Sequence, residues 1–176
     1  AINLDGVQSA FIYNNLLYEN HATGIALFQQ DGNEPSINAD IVHNTIINAS
    51  NARWCILAVN GSSGAQVFNN ILINQHAWRG SIALDPDAVT GFDSDYNIVV
   101  NSLSNEGDGQ AMTLTEWQAL GYDANSMIAD PLNELFVIPG SDYHLLNDAQ
   151  AVDEGSAAFA FGINEDIEGT SRPQGA

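Results

Sequence analysis

The sequence predicts an all-β fold, a right-handed parallel β-helix of about four to five coils, with one short helix and an irregular tail over one end. Three observations carry this prediction. Asn15, Asn44, Asn70 and Asn97 recur at intervals of 29, 26 and 27 residues, each between two short apolar runs. The runs are Ile12-Tyr before Leu16-Leu17, Ile41-Val before Thr45-Ile46, Val67-Phe before Ile71-Leu72, and Ser94-Asp-Tyr before Ile98-Val99. A fixed period of this size marks stacked repeats. A second column runs in phase with the first: Ile2-Asn-Leu4, Ile25-Ala-Leu27, Ile56-Leu-Ala58 and Ile82-Ala-Leu84 alternate with the period of a half-buried strand. Finally, a unit of about 27 residues holding three such strands has no room for a helix, so each strand must pair with its equivalent in the next coil.

The asparagines have a physical role in such a coil. A buried side-chain amide both donates and accepts, so a stack of them satisfies the corner groups above and below. Asn44 and Asn70 are therefore expected inside adjacent coils, bonded to each other or to corner backbone.

Taken in order, residues 1–101 are read as the coils and residues 102–176 as a capping helix and tail packed on the same domain. Among the coil turns the longest insertions are Gln29–Ser36 and Asp85–Gly91. In repeat folds such insertions gather on one side and often carry binding. After the loop Ser104–Gly109 comes a helix signal: Thr113-Leu-Thr-Glu116 is a capping box, Leu114, Trp117 and Leu120 mark one apolar face, and Gly121 is placed to end it. Asp142-Tyr-His-Leu145 reads as one further strand.

Charge narrows the partners. The 176 residues carry a net charge of −19, with Arg53, Arg79 and Arg172 as the lysine-free chain's cations. Phosphate binding needs clustered Lys and Arg, which argues against nucleic acid, and anionic lipid is disfavoured for the same reason. No run approaches the length of a membrane span. Such acidity favours solubility, divalent cations or a salty medium. The single Cys55 allows no internal disulfide and is expected to be an inert, buried or half-buried thiol. No signal peptide is visible at Ala1, and Ile2 already lies in a strand pattern. The chain thus reads as a mature or excised piece, and an open first coil predicts self-association through its strand edges.

The tail carries a succession of motifs: Asp95-Tyr-Asn97, Trp117-Gln118 with Gly121, Ser126 with Ala129-Asp-Pro131, Asp142-Tyr-His-Leu145, Asp153-Glu-Gly155 and Asp166-Ile-Glu-Gly-Thr-Ser-Arg-Pro173. In this order they resemble the C-terminal part of secreted bacterial proteins with right-handed parallel β-helix repeats, in the pectate-lyase-like superfamily. The resemblance spans nearly the whole chain. It implies the fold, an extracellular or secreted setting, and a polysaccharide or oligosaccharide partner. It implies less about activity, because the superfamily holds lyases, hydrolases, epimerases and proteins without a known reaction. Relatives usually continue into a last strand where this sequence stops near Gly175, so the C-terminal edge reads as trimmed.

Carbohydrate-active proteins of this superfamily place substrate along the first parallel sheet. Just before two of its strands stand Arg53-Trp54 and Trp78-Arg79, each Arg three residues ahead of an equivalent Ile. The two guanidiniums should share a column on adjacent coils, and like charges that close need carboxylates or an oxygen-rich ligand between them. His76, Asp85 and Asp87 are near enough in sequence to join them. One reading is a sugar site, with Trp54 and Trp78 for stacking and Arg53 and Arg79 as forks for hydroxyls or carboxylates. The other is two Arg held by salt bridges on an acidic surface, with the Trp side chains packing turns.

Catalytic residues are not assigned. The chain has no Lys, no Arg-x-Pro-x-x-Arg run as in pectate lyases, and none of the Asn-Thr-Asp, Asp-Asp and Gly-His-Gly set that resembles polygalacturonases. Asp85, Asp87, Asp93 and Asp95 could pair as hydrolase carboxylates. Cofactors are equally open. No ligand set is assigned, and calcium is the candidate that the acidic loops admit, Asp93-Ser-Asp95 resembling the start of a calcium loop without its Gly and closing Glu. His21, His43 and His144 lack a second ligand at a metal-binding spacing and are read as structural or surface residues. The functional expectation is an extracellular carbohydrate-interacting protein, similar to polysaccharide lyase or glycoside hydrolase β-helices and a portion of a larger enzyme. The alternative is a non-catalytic structural or adhesion module with an acidic, calcium-binding surface.

Overall fold

The computed structural model describes residues 1–172, which wind into a parallel β-solenoid of about five turns. Pro173 and the trimmed edge expected near Gly175 lie outside the described residues. Sheet one stacks β1 (Ile2–Asp5), β4 (Ile25–Phe28), β7 (Ile56–Ala58) and β10 (Ile82–Leu84). Sheet two stacks β2 (Ala10–Tyr13), β5 (Ala39–Val42), β8 (Gln66–Phe68) and β11 (Asp93–Asp95). Sheet three stacks β3 (Leu16–Asn20), β6 (Thr45–Asn48), β9 (Ile71–Asn74), β12 (Ile98–Val99) and β13 (Met127–Ile128).

The register keeps like against like. Ile25 pairs with Ile56 and Ile56 with Ile82, so one column of β-branched side chains fills the same level of every coil. Ile25, Leu27, Ile41, Ile46, Ile56, Val67, Leu72, Ile82 and Leu84 are fully buried in one continuous core. Each such side chain contributes about 1.5–3 kcal/mol on leaving water.

The ladder predicted from the asparagines is present, and it is directional. Asn15 Nδ2 donates to Asn44 Oδ1 at 2.9 Å, Asn44 Nδ2 to Asn70 Oδ1 at 3.1 Å, and Asn70 Nδ2 to Asn97 Oδ1 at 3.0 Å. The same oxygens also accept the backbone N–H of the preceding rung, at 3.1, 2.9 and 2.9 Å. The turn before each rung requires a left-handed residue: Asn14, His43, Asn69 and Tyr96 all have φ between 54° and 56°. Asn and His tolerate this region better than most side chains, and Tyr does so at a cost.

The coil pattern runs past residue 101. Ser104 bridges to Ala83 at the edge of sheet one, and β13 extends sheet three. Between them the fifth turn replaces a strand of sheet two with α1 (Leu114–Ala119). Its capping box forms as expected, Thr113 Oγ1 accepting the Glu116 N–H while Glu116 accepts the Thr113 N–H. Leu114 and Trp117 are buried over the end of the core, with Trp117 against Phe92 and Tyr122. Leu120, expected on the same face, is instead half exposed. It is the C-cap residue, where the last turn carries it off the core.

The ladder terminates on Asp123, a fully buried carboxylate. Its Oδ1 accepts from Asn97 Nδ2 at 2.9 Å and Ser126 Oγ at 2.5 Å, and its Oδ2 accepts from Trp117 Nε1 at 2.8 Å and from Ser94 Oγ. Four donors make the buried charge tolerable. The predicted strand at Asp142–Leu145 (β15) is present. Its antiparallel partner β14 (Phe136–Ile138) and the short helix α2 (Leu132–Leu135) had no distinct sequence signal. They cover sheet three through a second apolar cluster of Ile47, Ile73, Leu135 and Phe136.

Candidate functional site

The column of two arginines forms as the spacing predicts. Because Ile56 pairs with Ile82, Arg53 and Arg79 sit at the same level of coils three and four. What separates their charges is Asp108, a residue the sequence reading did not single out. Its carboxylate accepts from Arg79 Nε at 2.6 Å and Nη2 at 2.7 Å, a side-on fork, and from Arg53 Nη2 at 3.3 Å. Trp54 Nε1 adds a fourth bond at 2.8 Å. These donors hold the Asp108 carboxyl down to about 2, the Arg79 hydrogen bonds leading, with those from Trp54 and the two positive charges adding to them. The same fork raises the already high Arg79 value.

Asp108 reaches this position on a hairpin. Leu103 and Met112 exchange antiparallel hydrogen bonds of 3.0 and 2.7 Å, and the loop between them folds back over the outer face of sheet one. There Ala111 packs on a small cluster of Trp54, Leu57 and Ala83. Gly107 seats the tip: its N–H donates to the Leu84 carbonyl at 2.7 Å, its φ is +61°, and a Cβ there would stand 2.2 Å from Asp85 Oδ1. The local sequence signal for this turn was Glu106-Gly-Asp-Gly109, which reads as a loop but does not say where the loop folds.

The two tryptophans part company. Trp54 is completely buried beneath the hairpin, so it packs rather than presenting a face. Trp78 is 45% exposed. Its indole is braced on three sides, by the Arg79 guanidinium 4.5 Å from the ring centroid, by the Trp54 edge at 6.3 Å, and by the His76 ring at 5.5 Å, the two rings nearly perpendicular to it. His76 is fixed in turn, because its Nδ1 accepts the backbone N–H groups of Trp78 and Arg79, both at 3.2 Å. Its other nitrogen faces Arg79 Nη1 at 3.5 Å.

Asp85 and Asp87 do not join this group. They follow β10, whereas Arg79 precedes it, and the strand carries them to the opposite edge of sheet one. Asp85 instead accepts the Asn60 N–H at 3.1 Å, and Asp87 is exposed. Asp93 and Asp95 face sheet two and serve turns: Asp95 accepts from Asn125 N and Nδ2 at 2.6 and 2.7 Å. Among the described residues, no group of three or more His, Cys, Asp or Glu side chains is gathered to hold a metal ion. Cys55 is fully buried, and burial pushes its thiol far up, as an inert packing residue. His144 is exposed between Asp142 and Glu168, whose hydrogen bonds raise its imidazole to about 9. No helix of the described chain is long and apolar enough to cross a membrane.

What this geometry offers is an exposed aromatic platform with a fixed tilt beside two arginines that share one carboxylate and keep a net positive charge. Comparison with family models, with curated proteins and with solved structures returns no match. The functional reading therefore rests on the site itself.

Proposed function

We propose that the protein is a carbohydrate-interacting β-solenoid of the extracellular environment, and that the Trp78 indole is the platform on which a sugar ring stacks. The observation that carries this reading is the exposed indole held rigid by Arg79, His76 and Trp54. A sugar ring presents C–H groups to an aromatic face, and a platform that is already immobile loses little entropy on binding. Asp108 offsets one of the two guanidinium charges, and the strongly acidic rest of the surface repels polyanions at low salt. A neutral oligosaccharide is accordingly the favoured ligand, with Arg53 Nη1 and the rim of Asp108 available to its hydroxyls.

The experiment is a titration with an array of neutral and uronic oligosaccharides, with and without calcium, for the parent, Trp78→Ala and Arg53→Ala/Arg79→Ala. Binding to neutral sugars that Trp78→Ala abolishes supports the reading. Equal binding by all three, or by none, overturns it.

One observation favours a second reading. Both arginines are engaged by one carboxylate, the arrangement expected of a structural brace. On that reading the protein is a non-catalytic structural or adhesion module. Release of reducing sugar or of unsaturated product from a polysaccharide panel would assign it to the hydrolases or lyases, and binding without release would favour the module.

A further inference from the structure

Beyond β15 the chain turns back along the solenoid. The segment Ser156–Arg172 lies as a strap over the column of left-handed corner residues, passing from coil four to coil one. At coils three and four Phe159 stacks on Phe68 at 4.1 Å with the rings 1° from parallel, and lies 5.8 Å from Tyr96. There the Asn69 side chain donates to the Ser156 and Phe159 carbonyls at 3.0 and 3.1 Å and accepts the Ser156 N–H at 2.8 Å. At coil one the Asn14 side chain donates to the Glu165 carbonyl at 2.8 Å and accepts from Arg172 Nη1 at 2.9 Å. Both ends of the strap are thus held by an amide that donates and accepts at once.

Between these two asparagines the corner residue is His43. Its Nε2 is sealed from solvent and has no hydrogen-bond partner among the described residues. We propose that the strap is an acid-released latch with His43 as its trigger: a proton taken up by this enclosed imidazole, beside the Arg172 guanidinium, loosens the strap from the corner column and uncovers Phe68 and Asn14.

The surroundings of His43 favour the neutral ring. From the strap it faces Arg172, whose own charge has Asp166 beside it, and Glu165 approaches Asn14 through its backbone carbonyl. The equivalent positions on the neighbouring coils, Asn14 and Asn69, carry no charge. On its own coil the nearest titratable side chain in sequence is Asp40 of β5. Burial, and then the Arg172 charge, lower the imidazole to about 4.

A depressed histidine is neutral in the closed form and takes its proton on opening. The latch is therefore fully closed above about pH 6.5 and weakens as pH falls toward 4. Over that window the open fraction should rise on the order of 100-fold. Two other charged groups lie along the strap: His144 of β15, whose Nε2 meets Glu168 of the strap at 3.0 Å, and Asp166. His144 is protonated throughout that window, and Asp166, held down by the backbone N–H groups of Thr170 and Glu168, stays charged.

The test is hydrogen exchange of the Ser156–Arg172 amides in the full chain between pH 8 and pH 4, corrected for intrinsic exchange rates. His43→Asn is the informative variant, because Asn occupies the same left-handed position at residues 14 and 69. Parent protection should fall on the order of 100-fold across the range, and His43→Asn should stay level. Arg172→Gln, which removes the neighbouring charge, should show a shallower fall than the parent. A parent that stays level, or a His43→Asn variant that falls in parallel with it, overturns the proposal. Far-UV circular dichroism at each pH separates strap release from loss of the solenoid.

Discussion

At the residue scale the interior of this molecule is governed by side chains that must both donate and accept. Asn70 is 1% exposed and makes two bonds to backbone carbonyls, of Ile41 and Phe68, besides its place in the ladder. Replacing it with Leu leaves the buried Asn44 backbone N–H without its acceptor, the Ile41 and Phe68 carbonyls without the amide donor, and Asn97 Oδ1 with one of its two donors. Chemical denaturation should show a loss on the order of 1–3 kcal/mol. Asp123→Asn is a subtler probe: an amide offers two donors where Ser94, Asn97, Ser126 and Trp117 all bring their own. At least one buried donor loses its acceptor, so a loss on the order of 1–3 kcal/mol is again expected. The ladder was legible in the sequence because an Asn between two apolar pairs recurs with the coil. Asp123 was not legible. It sits in Gly121-Tyr-Asp-Ala-Asn, outside the periodic run, and nothing local distinguishes a buried carboxylate from a loop one.

At the scale of elements, the hairpin Leu103–Met112 decides what the first sheet can present. Spacing alone placed Arg53 and Arg79 in one column, since parallel register is set by matching Ile residues. It could not place Asp108, because the path of a loop across a sheet depends on contacts between residues far apart in the chain. For the same reason Asp85 and Asp87, close to Arg79 in sequence, lie across the strand from it. Asp108→Asn should weaken the hold on both guanidiniums and leave Trp78 less firmly braced, read as stronger acrylamide quenching of its fluorescence, Trp54 and Trp117 being fully buried. The pH dependence has a definite sign. The carboxyl is held down to about 2, so its contribution is complete above the ordinary aspartate range and disappears as pH falls through about 2. The thermal midpoints of parent and Asp108→Asn should converge at the acid end of that window, and parallel curves would count against the brace.

For the whole molecule, the two ends of the solenoid are unlike. Helix α1 and Asp123 close one, while β1, β2 and β3 are the outermost strands of their sheets at the other. Edges of this kind pair readily with other strands. The 176 residues expressed by themselves should show concentration-dependent self-association in sedimentation velocity, suppressed by Lys substitutions at Asn3 and Phe11 on the outer faces of β1 and β2. A single monomeric species at high concentration would exclude it. The ladder adds a further consequence. Every amide hands its hydrogen bonds on in the same sense, from Asn15 toward Asp123, and the two interior rungs, Asn44 and Asn70, meet an asparagine on both sides. The interior coils are therefore interchangeable modules, and a genetic duplication of residues 45–70, one full period, inserts a rung that finds its donors and acceptors already in place. Length is then a heritable variable of this architecture, free to change in whole coils, while the carboxylate at the end acts as a stop signal that no coil can be added beyond.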